Sequence, residues 1–165
     1  MLAVGACMKA LAKYFGEDEN LWEVAGLVHD GDYEMFKDTP EKHPSKIVDM
    51  LQEKNVDPKI IQAVERHGWG WRENIPEPET KMDWALYTCD ELTGLITAVT
   101  LVRPSRKITD VKVEDVLKKW KQKEFARGAK RENIDFCEPK LGIKREDFIT
   151  ICLQAMQKIS KDLGL

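Results

Sequence analysis

Three features of the 165-residue sequence predict an all-α fold. Apolar residues recur at a spacing near 3.6 over most of the chain, as expected for amphipathic helices. Glycine and proline divide this pattern into segments of helical length. The alternating pattern of a β-strand is not found in convincing form. Because the length suits one domain better than two, we expect residues 1–165 to form a single compact helical bundle.

Residues that are typical of helix ends predict four helices in the first part of the chain. Proline is tolerated in the first turn of a helix, so Pro44 and Pro58 mark helix starts, and Asp57 is the expected N-cap of the later one. Gly16 is a natural terminator of the first helix. The expected helices run approximately from Leu2 to Phe15, Glu19 to Val28, Ser45 to Glu53 and Lys59 to His67. Asp30 to Pro40 is predicted to be a polar loop.

The second part predicts a buried helix and a helical C-terminus. Gly68 to Thr80 contains too much glycine and proline for a helix and is expected to form an ordered loop that walls a pocket. Met82 to Val102 is apolar on more than one side, so it should be the central helix. Val111 to Arg131 is a basic amphipathic stretch. A C-terminal helix completes the domain and carries Phe148, Ile151, Cys152, Ala155 and Ile159.

Composition limits the classes of partner. Hydrophobic residues make up 42% of the chain and charged residues 33%, which is typical of soluble globular proteins. No apolar run approaches the roughly 20 residues that cross a bilayer, and no leader-like segment opens the chain. We therefore expect no membrane partner and a cytoplasmic location. The net charge of −3 gives no general attraction to a nucleic-acid polymer, so phosphate binding would need a local site.

Four widely spaced cysteines form no CxxC pair for zinc or redox chemistry. They are Cys7, Cys89, Cys137 and Cys152. Each lies in apolar surroundings, so we expect buried free thiols.

Three histidines and two carboxylates are candidate metal ligands. His29, His43 and His67 are the histidines of the chain, and each is expected at a helix end or beside a loop. Asp30 follows His29 where a helix is expected to end, so an imidazole and a carboxylate occur side by side. Asp90 lies in the most apolar helix, where a carboxylate is expensive to bury unless a cation or hydrogen bonds compensate it.

Each of these residues also has a simpler explanation. An imidazolium next to the negative pole of a helix could stabilise the helix end at His29 and Asp30. His43 could be an ordinary loop residue, and His67 could merely end its helix. Asp90 could be a hydrogen-bonded carboxylate of the core.

The helix that carries Asp90 has two further unusual residues. Gly94, one turn later, costs about 1 kcal/mol relative to alanine in a helix, which predicts that something approaches its backbone closely. Glu91, beside Asp90, could be exposed.

The order of the candidate ligands resembles that of the HD-domain superfamily of metal-dependent phosphohydrolases. The family pattern is a histidine, then His-Asp, optionally two further histidines, and then an aspartate; here LVHDGDYE is followed by His43, His67 and Asp90. The segments ACMKALA, GLVHDGDYE, DELTGLITAVTLVRP and FARGAKREN look like those of small bacterial and archaeal HD hydrolases. The resemblance therefore covers nearly the whole chain and implies an all-α fold of the HD-domain type.

The resemblance implies a centre of one or two divalent ions. His29, Asp30 and Asp90 would bind the first ion, while His43 and His67, with Asp30 bridging, could bind a second. Fe, Mn, Co, Ni, Zn or Mg could serve, and the sequence does not choose among them. Such a centre lowers the pKa of a bound water and neutralises charge on the attacked phosphoryl group.

Two details accompany this ligand set. The first histidine of the family pattern would lie before Met1, so the site as given lacks one ligand. We expect the start to be truncated because the first helix begins in mid-pattern; a stand-in residue upstream of Met1 and an incomplete site are the alternatives. Asp30 is expected to take part in catalysis. Asp32 could orient a ligand or assist proton transfer, and a capping or surface role is equally open.

The substrate implied by the resemblance is a nucleotide or another small phosphate ester. Cations that could help to bind it are Lys46, Arg66, Arg103, Lys107 and those of the run KKWKQKEFARGAKRE. The run from Lys118 to Arg131 is expected to be a solvated face, although it would help to hold a polyanion if it faced the pocket. Trp69 and Trp71 could stack on a base, with packing as the other interpretation.

Two other functions fit the same residues. HD-like folds with five or six such ligands also house di-iron oxygenases, which His43 and His67 would serve equally well. A non-catalytic binding module is the third possibility. The oligomeric state is left open by the sequence.

Overall fold

The all-α prediction is confirmed by the structure, a computed structural model that describes residues 1–122 and 124–165. The helices are α1 Leu2–Phe15, α2 Glu19–Val28, α3 Ser45–Glu53, α4 Pro58–Arg66, α5 Lys81–Leu101, α6 Val113–Trp120, α7 Arg131–Ile134, α8 Cys137–Leu141, α9 Arg145–Lys158 and α10 Ser160–Leu163. Short 3₁₀ turns are Tyr33–Met35, Pro40–Lys42 and Ile108–Asp110. The described residues contain no β-strand, only an isolated bridge between Trp69 and Arg72.

The backbones of helices α1 and α2 lie in direct contact. The side chain of Asp18 caps the start of α2 by accepting hydrogen bonds from the N–H groups of Asn20 and Leu21. A Cβ added to Gly26 would lie 2.8 Å from the Cα of Gly5, closer than two such atoms normally approach. The absence of a side chain at Gly26 therefore sets the distance between the two helices.

Helix α5 is the centre of the bundle, as expected from its apolar sequence. It begins with a capping box, in which the Thr80 hydroxyl accepts from the N–H of Asp83 while the Asp83 carboxylate accepts from the N–H of Thr80. Residues on more than one side of α5 are buried, and α1, α4, α7, α8 and α9 pack against it. The buried apolar residues of the described chain form one cluster.

The stretch from Val111 to Arg131 is not one helix. Helix α6 ends at Trp120, and the described residues up to Lys130 form turns. The guanidinium of Arg131 donates to the backbone carbonyls of Phe125, Ala126 and Ala129, so those carbonyls are satisfied without continuing the helix. Lys123, one of the cations of the predicted basic face, lies outside the described residues.

Two further expectations can be compared with the structure. All four cysteines are buried and free. Among the described residues, no helix combines the length and the apolar character that crossing a bilayer requires.

Candidate metal centre

The five candidate ligands come from distant parts of the sequence and lie together. His29 and His67 are the C-terminal caps of α2 and α4, and Asp30 follows directly after His29. His43 comes after the 3₁₀ turn Pro40–Lys42, and Asp90 lies within α5. Their ligand atoms fall into two groups that share Asp30, and in each group these atoms lie within 4.8 Å of one another.

The first group contains His29, Asp30 and Asp90. The Nε2 atom of His29 lies 3.3 Å from Oδ1 of Asp90 and 3.5 Å from Oδ2 of Asp30. The His29 side chain is fully buried, whereas both carboxylates are partly exposed. One imidazole from α2 therefore faces one carboxylate from its own chain neighbour and one from the central helix.

The second group contains Asp30, His43 and His67. The Oδ1 atom of Asp30 lies 3.2 Å from Nε2 of His43 and 3.7 Å from Nε2 of His67. The two Nε2 atoms are themselves 2.9 Å apart. Because its two oxygens face different groups, Asp30 can bridge them.

Backbone carbonyls fix which ring nitrogen of two histidines carries the proton. Nδ1 of His29 lies 2.8 Å from the carbonyl oxygen of Gly26, and Nδ1 of His67 is hydrogen-bonded to that of Val64. A carbonyl can only accept, so each Nδ1 must donate, and the Nε2 atom of the neutral ring carries a lone pair. Both lone pairs point into the cluster.

Asp32 orients the third imidazole. Its Oδ1 atom lies 2.6 Å from Nδ1 of His43, while Oδ2 accepts hydrogen bonds from the N–H groups of Lys46 and Ile47, in the first turn of α3. The Asp32 side chain is almost fully buried. With Nδ1 donating to this carboxylate, Nε2 of His43 also presents a lone pair to the cluster.

The chemistry of this donor set fits a divalent cation. The facing Nε2 atoms of His43 and His67 would repel one another unless a proton or a cation lay between them or beside both. Carboxylates from Asp30 and Asp90 compensate positive charge at the same place. Imidazole and carboxylate together suit transition-metal ions such as Fe, Mn, Co, Ni and Zn.

The pKa shifts of His67 and Asp30 favour the forms that bind a metal ion, a neutral imidazole and an ionised carboxylate. Burial lowers the pKa of His67, so this ring is neutral. Burial raises the pKa of Asp30, but hydrogen bonds with His43 and His67 outweigh it and hold that pKa well below the usual range. Burial lowers the pKa of His29 and of His43, but the charges and hydrogen bonds of the neighbouring carboxylates outweigh it and raise both pKa values, so without a metal these two rings favour a proton.

Two cavities meet at the cluster, and both are lined by Asp30, Tyr33, Trp71, Asp90 and Glu91. The first, here called the inner cavity, extends to His43, His67, Lys37 and Asn133 among others. The second, here called the outer cavity, extends to Gly94, Ala126, Gly128 and Ala129. The loop expected to wall a pocket does so through Gly68 and Trp71.

No described residue accounts for the close approach expected at Gly94. A Cβ placed on this residue would meet no atom within 4 Å among the described residues. The part of the chain that the structure describes leaves its backbone open, and the residue borders the outer cavity.

The two tryptophans of the 68–80 loop differ in their surroundings. Trp69 packs into an aromatic cluster with Trp84, Tyr87 and Phe136. Trp71 is 49% exposed, and the ammonium of Lys130 lies 3.7 Å from its ring centre. Packing is therefore the role of Trp69, whereas Trp71 remains available to a ligand.

Sequence reasoning missed how Glu91 is used. Its carboxylate is half-buried and accepts hydrogen bonds from the N–H of Lys130 at 2.9 Å and from Nδ2 of Asn133 at 3.1 Å. These contacts tie the start of α7 to the residue beside Asp90. Because the partners lie about forty positions away, no local signal in the sequence reveals them.

Two of the cations proposed from the sequence are engaged in ion pairs with other residues. Arg66 forms an ion pair with Glu79, and Arg103 forms one with Asp115. Lys37, which the sequence did not single out, lines the inner cavity.

A model of the HD domain family matches residues 1–95, which is more than half of the chain. The chain belongs to the HD domain family. The matched part contains all five candidate ligands of this HD domain, and the segment 126–129 beside the outer cavity follows it. No curated protein and no solved structure matches the chain. HD domains are commonly metal-dependent hydrolases that act on phosphate esters.

Proposed function

We propose that this HD domain protein is a metal-dependent phosphohydrolase that acts on a nucleotide or another small phosphate ester. The observation that carries the proposal is the convergence of three imidazole Nε2 atoms and two carboxylates on one place beside a cavity. Because each Nδ1 has an acceptor, the neutral form of each ring directs its Nε2 lone pair into the cluster.

Five residues would hold the metal. His29, Asp30 and Asp90 would bind one divalent ion, and Asp30, His43 and His67 a second. When bound, a divalent ion supplies a Lewis acid that stabilises negative charge on a phosphoryl group and lowers the pKa of water.

The remaining contacts position these ligands. The carbonyls of Gly26 and Val64 keep the Nδ1 protons of His29 and His67, so that Nε2 is free to bind. Asp32 does the same for His43 and also caps α3, and on this ground we propose it as an orienting residue rather than as a group that meets the substrate. We propose Asp30 as the carboxylate nearest to the reacting atoms because it belongs to both groups.

The cavities supply the substrate side of the proposal. Lys37 lines the inner cavity with the candidate ligands and can neutralise phosphate charge there. We propose that residues 96–165 belong to the same domain as the matched part, since α9 packs against α1 and α5.

A di-iron oxygenase is the second candidate, because two ligand groups that share one carboxylate also suit a pair of iron ions. Oxygen consumption with a mixed-valence iron signal, in protein that hydrolyses no phosphate ester, would favour it. Protein that binds no metal would instead favour a non-catalytic binding module.

The deciding experiment combines metal analysis with an activity screen. Purified protein is analysed for bound metals and then tested with phosphate monoesters and diesters in the presence of Fe, Mn, Co, Ni, Zn and Mg in turn. We expect one or two ions per chain and metal-dependent release of phosphate. His29→Ala and Asp90→Ala should abolish turnover while the helical circular dichroism spectrum is kept; unchanged turnover in either variant would reject the proposal.

A further inference from the structure

The outer cavity is not accounted for by metal binding. It shares Asp30, Asp90 and Glu91 with the inner cavity but extends away from the histidines, towards Gly94 and the segment 126–129. Because it adjoins Asp30 and Asp90, it offers space for a group attached to a phosphate at the candidate metal centre.

No neighbour among the described residues requires glycine at position 94. It lies inside α5, where glycine weakens a helix relative to alanine. A Cβ at this position would meet nothing within 4 Å among the described residues, so close packing does not exclude a side chain. Since Gly94 follows Asp90 by four residues, the two lie on the same face of α5. A larger residue here would project into the outer cavity beside Asp90.

Two exposed aromatic side chains border the same cavity. Trp71 is 49% exposed and Tyr33 is 52% exposed, although large aromatic residues usually gain more by burial. The ring of Tyr33 lies edge-on to that of His43, with 5.8 Å between the ring centres. The aromatic surface therefore begins next to the candidate ligands.

Small residues line the side of the outer cavity formed by the segment 126–129. Ala126, Gly128 and Ala129 line it, and the neighbouring Lys130 is tied to Glu91 through its backbone N–H. This wall is therefore anchored to the residue next to Asp90. Lys130 also places its ammonium over the ring of Trp71.

We propose, on the basis of the function proposed above, that the outer cavity binds a planar ring on the alcohol part of the phosphate ester, as in a nucleoside monophosphate, and that Gly94 leaves room for it. A flat ring offers an apolar face to the exposed aromatics and fits beside residues without long side chains. Glu91, which is not a candidate ligand, lines the outer cavity as well and disfavours a negatively charged substituent on the ring.

Binding of adenosine to the metal-free protein, measured by calorimetry, tests the cavity without using the metal. Wild-type protein should bind adenosine saturably, and Gly94→Leu should weaken binding about tenfold, as should Trp71→Ala, which removes one stacking partner. Ala98→Leu is the matched control, because it adds a similar side chain one turn later on α5; it should leave binding unchanged. If Gly94→Leu does not fold, Gly94→Ala is tested in its place and should raise the melting temperature while weakening adenosine binding.

A second experiment measures the selectivity of hydrolysis. The ratio of kcat/KM for adenosine monophosphate to that for glycerol phosphate should fall roughly tenfold or more in Gly94→Leu relative to wild type and to Ala98→Leu. No adenosine binding by the wild type, or equal binding by wild type and Gly94→Leu, would overturn the inference. Hydrolysis of glycerol phosphate with no preference for the nucleotide would overturn it and leave the phosphohydrolase proposal intact. Adenosine binding that depends on Gly94, in protein that hydrolyses no ester, would instead reject phosphohydrolysis.

Discussion

The Nε2 atoms of His43 and His67 lie 2.9 Å apart although the two residues are 24 positions apart in the sequence. Each ring directs its Nδ1 at an acceptor, Asp32 for His43 and the carbonyl of Val64 for His67. When both rings are neutral, two lone pairs face one another in a largely buried place, and a proton or a bound metal ion would relieve their repulsion.

Removal of one member of the pair should separate metal binding from folding. We expect His67→Ala to lose metal, because Asp30 and His43 alone hold a second ion poorly. A metal at about 100 times its dissociation constant should raise the free energy of unfolding of wild-type protein by about 2.7 kcal/mol, and His67→Ala should show a smaller rise. Chemical denaturation with and without metal measures both values.

Asp90→Asn and Asp110→Asn form a matched pair for the same experiment. Both remove one negative charge, but Asp90 lies in the cluster whereas Asp110 is exposed on a 3₁₀ turn after α5. Only Asp90→Asn should reduce bound metal. Equal metal content in the two variants would contradict the assignment of Asp90 as a ligand.

Asp32 should influence both stability and metal affinity. Asp32→Ala removes the acceptor of the Lys46 and Ile47 N–H groups, and loss of such a cap costs about 1 kcal/mol. It also releases His43, so metal affinity should fall roughly 10- to 100-fold. Isothermal titration with metal and urea denaturation measure the two effects.

Asp57→Ala is the control for that prediction. Asp57 caps α4 by accepting a hydrogen bond from the N–H of Lys59 and makes no contact with the cluster in the described residues. Its loss should lower stability by a similar amount and leave metal affinity unchanged. A fall in affinity in both variants would show that helix capping, and not orientation of His43, is what matters.

Gly26→Ala and Gly94→Ala should have opposite effects on the free energy of unfolding. In Gly26→Ala the new Cβ would lie 2.8 Å from backbone atoms of Gly5, so α1 and α2 must separate, at a cost of about 1–3 kcal/mol. The carbonyl of Gly26 also holds His29, and metal affinity should fall with stability. In Gly94→Ala the Cβ meets nothing within 4 Å, and the better helix propensity of alanine should add up to about 1 kcal/mol. Urea denaturation of both variants checks the signs.

Alkaline pH should destabilise the protein partly through Cys137. Burial raises the pKa of its thiol to about 12 from an ordinary value of 9.0. The unfolded thiol ionises first, so the contribution of the neutral thiol is fully present below pH 9 and is lost as the pH rises from 9 to about 12. At pH 10 the loss should approach about 1.4 kcal/mol.

Cys137→Ala isolates this effect. The variant should be less stable than wild type at pH 7, because the side chain is fully buried, and the difference should narrow at pH 10. Urea denaturation at the two pH values measures it. A constant difference would mean that the thiol does not titrate on unfolding in this range.

The sequence determined the helices that form the site, because their ends are set by residues nearby. Asp57 caps α4 as expected, and the predicted bounds Leu2–Phe15 and Glu19–Val28 are those of α1 and α2. Other predicted ends differ by one residue, as for α5, which runs from Lys81 to Leu101. The structure of the basic stretch that ends at Arg131 was harder to predict. Hydrogen bonds from the Arg131 guanidinium to backbone carbonyls hold part of this stretch in a turn instead of a helix.

The order of histidines and aspartates in the sequence also indicated the five candidate ligands, but only the tertiary structure decided what surrounds them. The tautomers depend on whether an acceptor stands behind each ring, as Asp32 does for His43. Whether Gly94 touched another segment or bordered a cavity depended on where the rest of the chain passed. Capping and helix propensity act over a few residues and can be inferred from them. Cavities and hydrogen bonds between distant segments exist only once those segments have packed together.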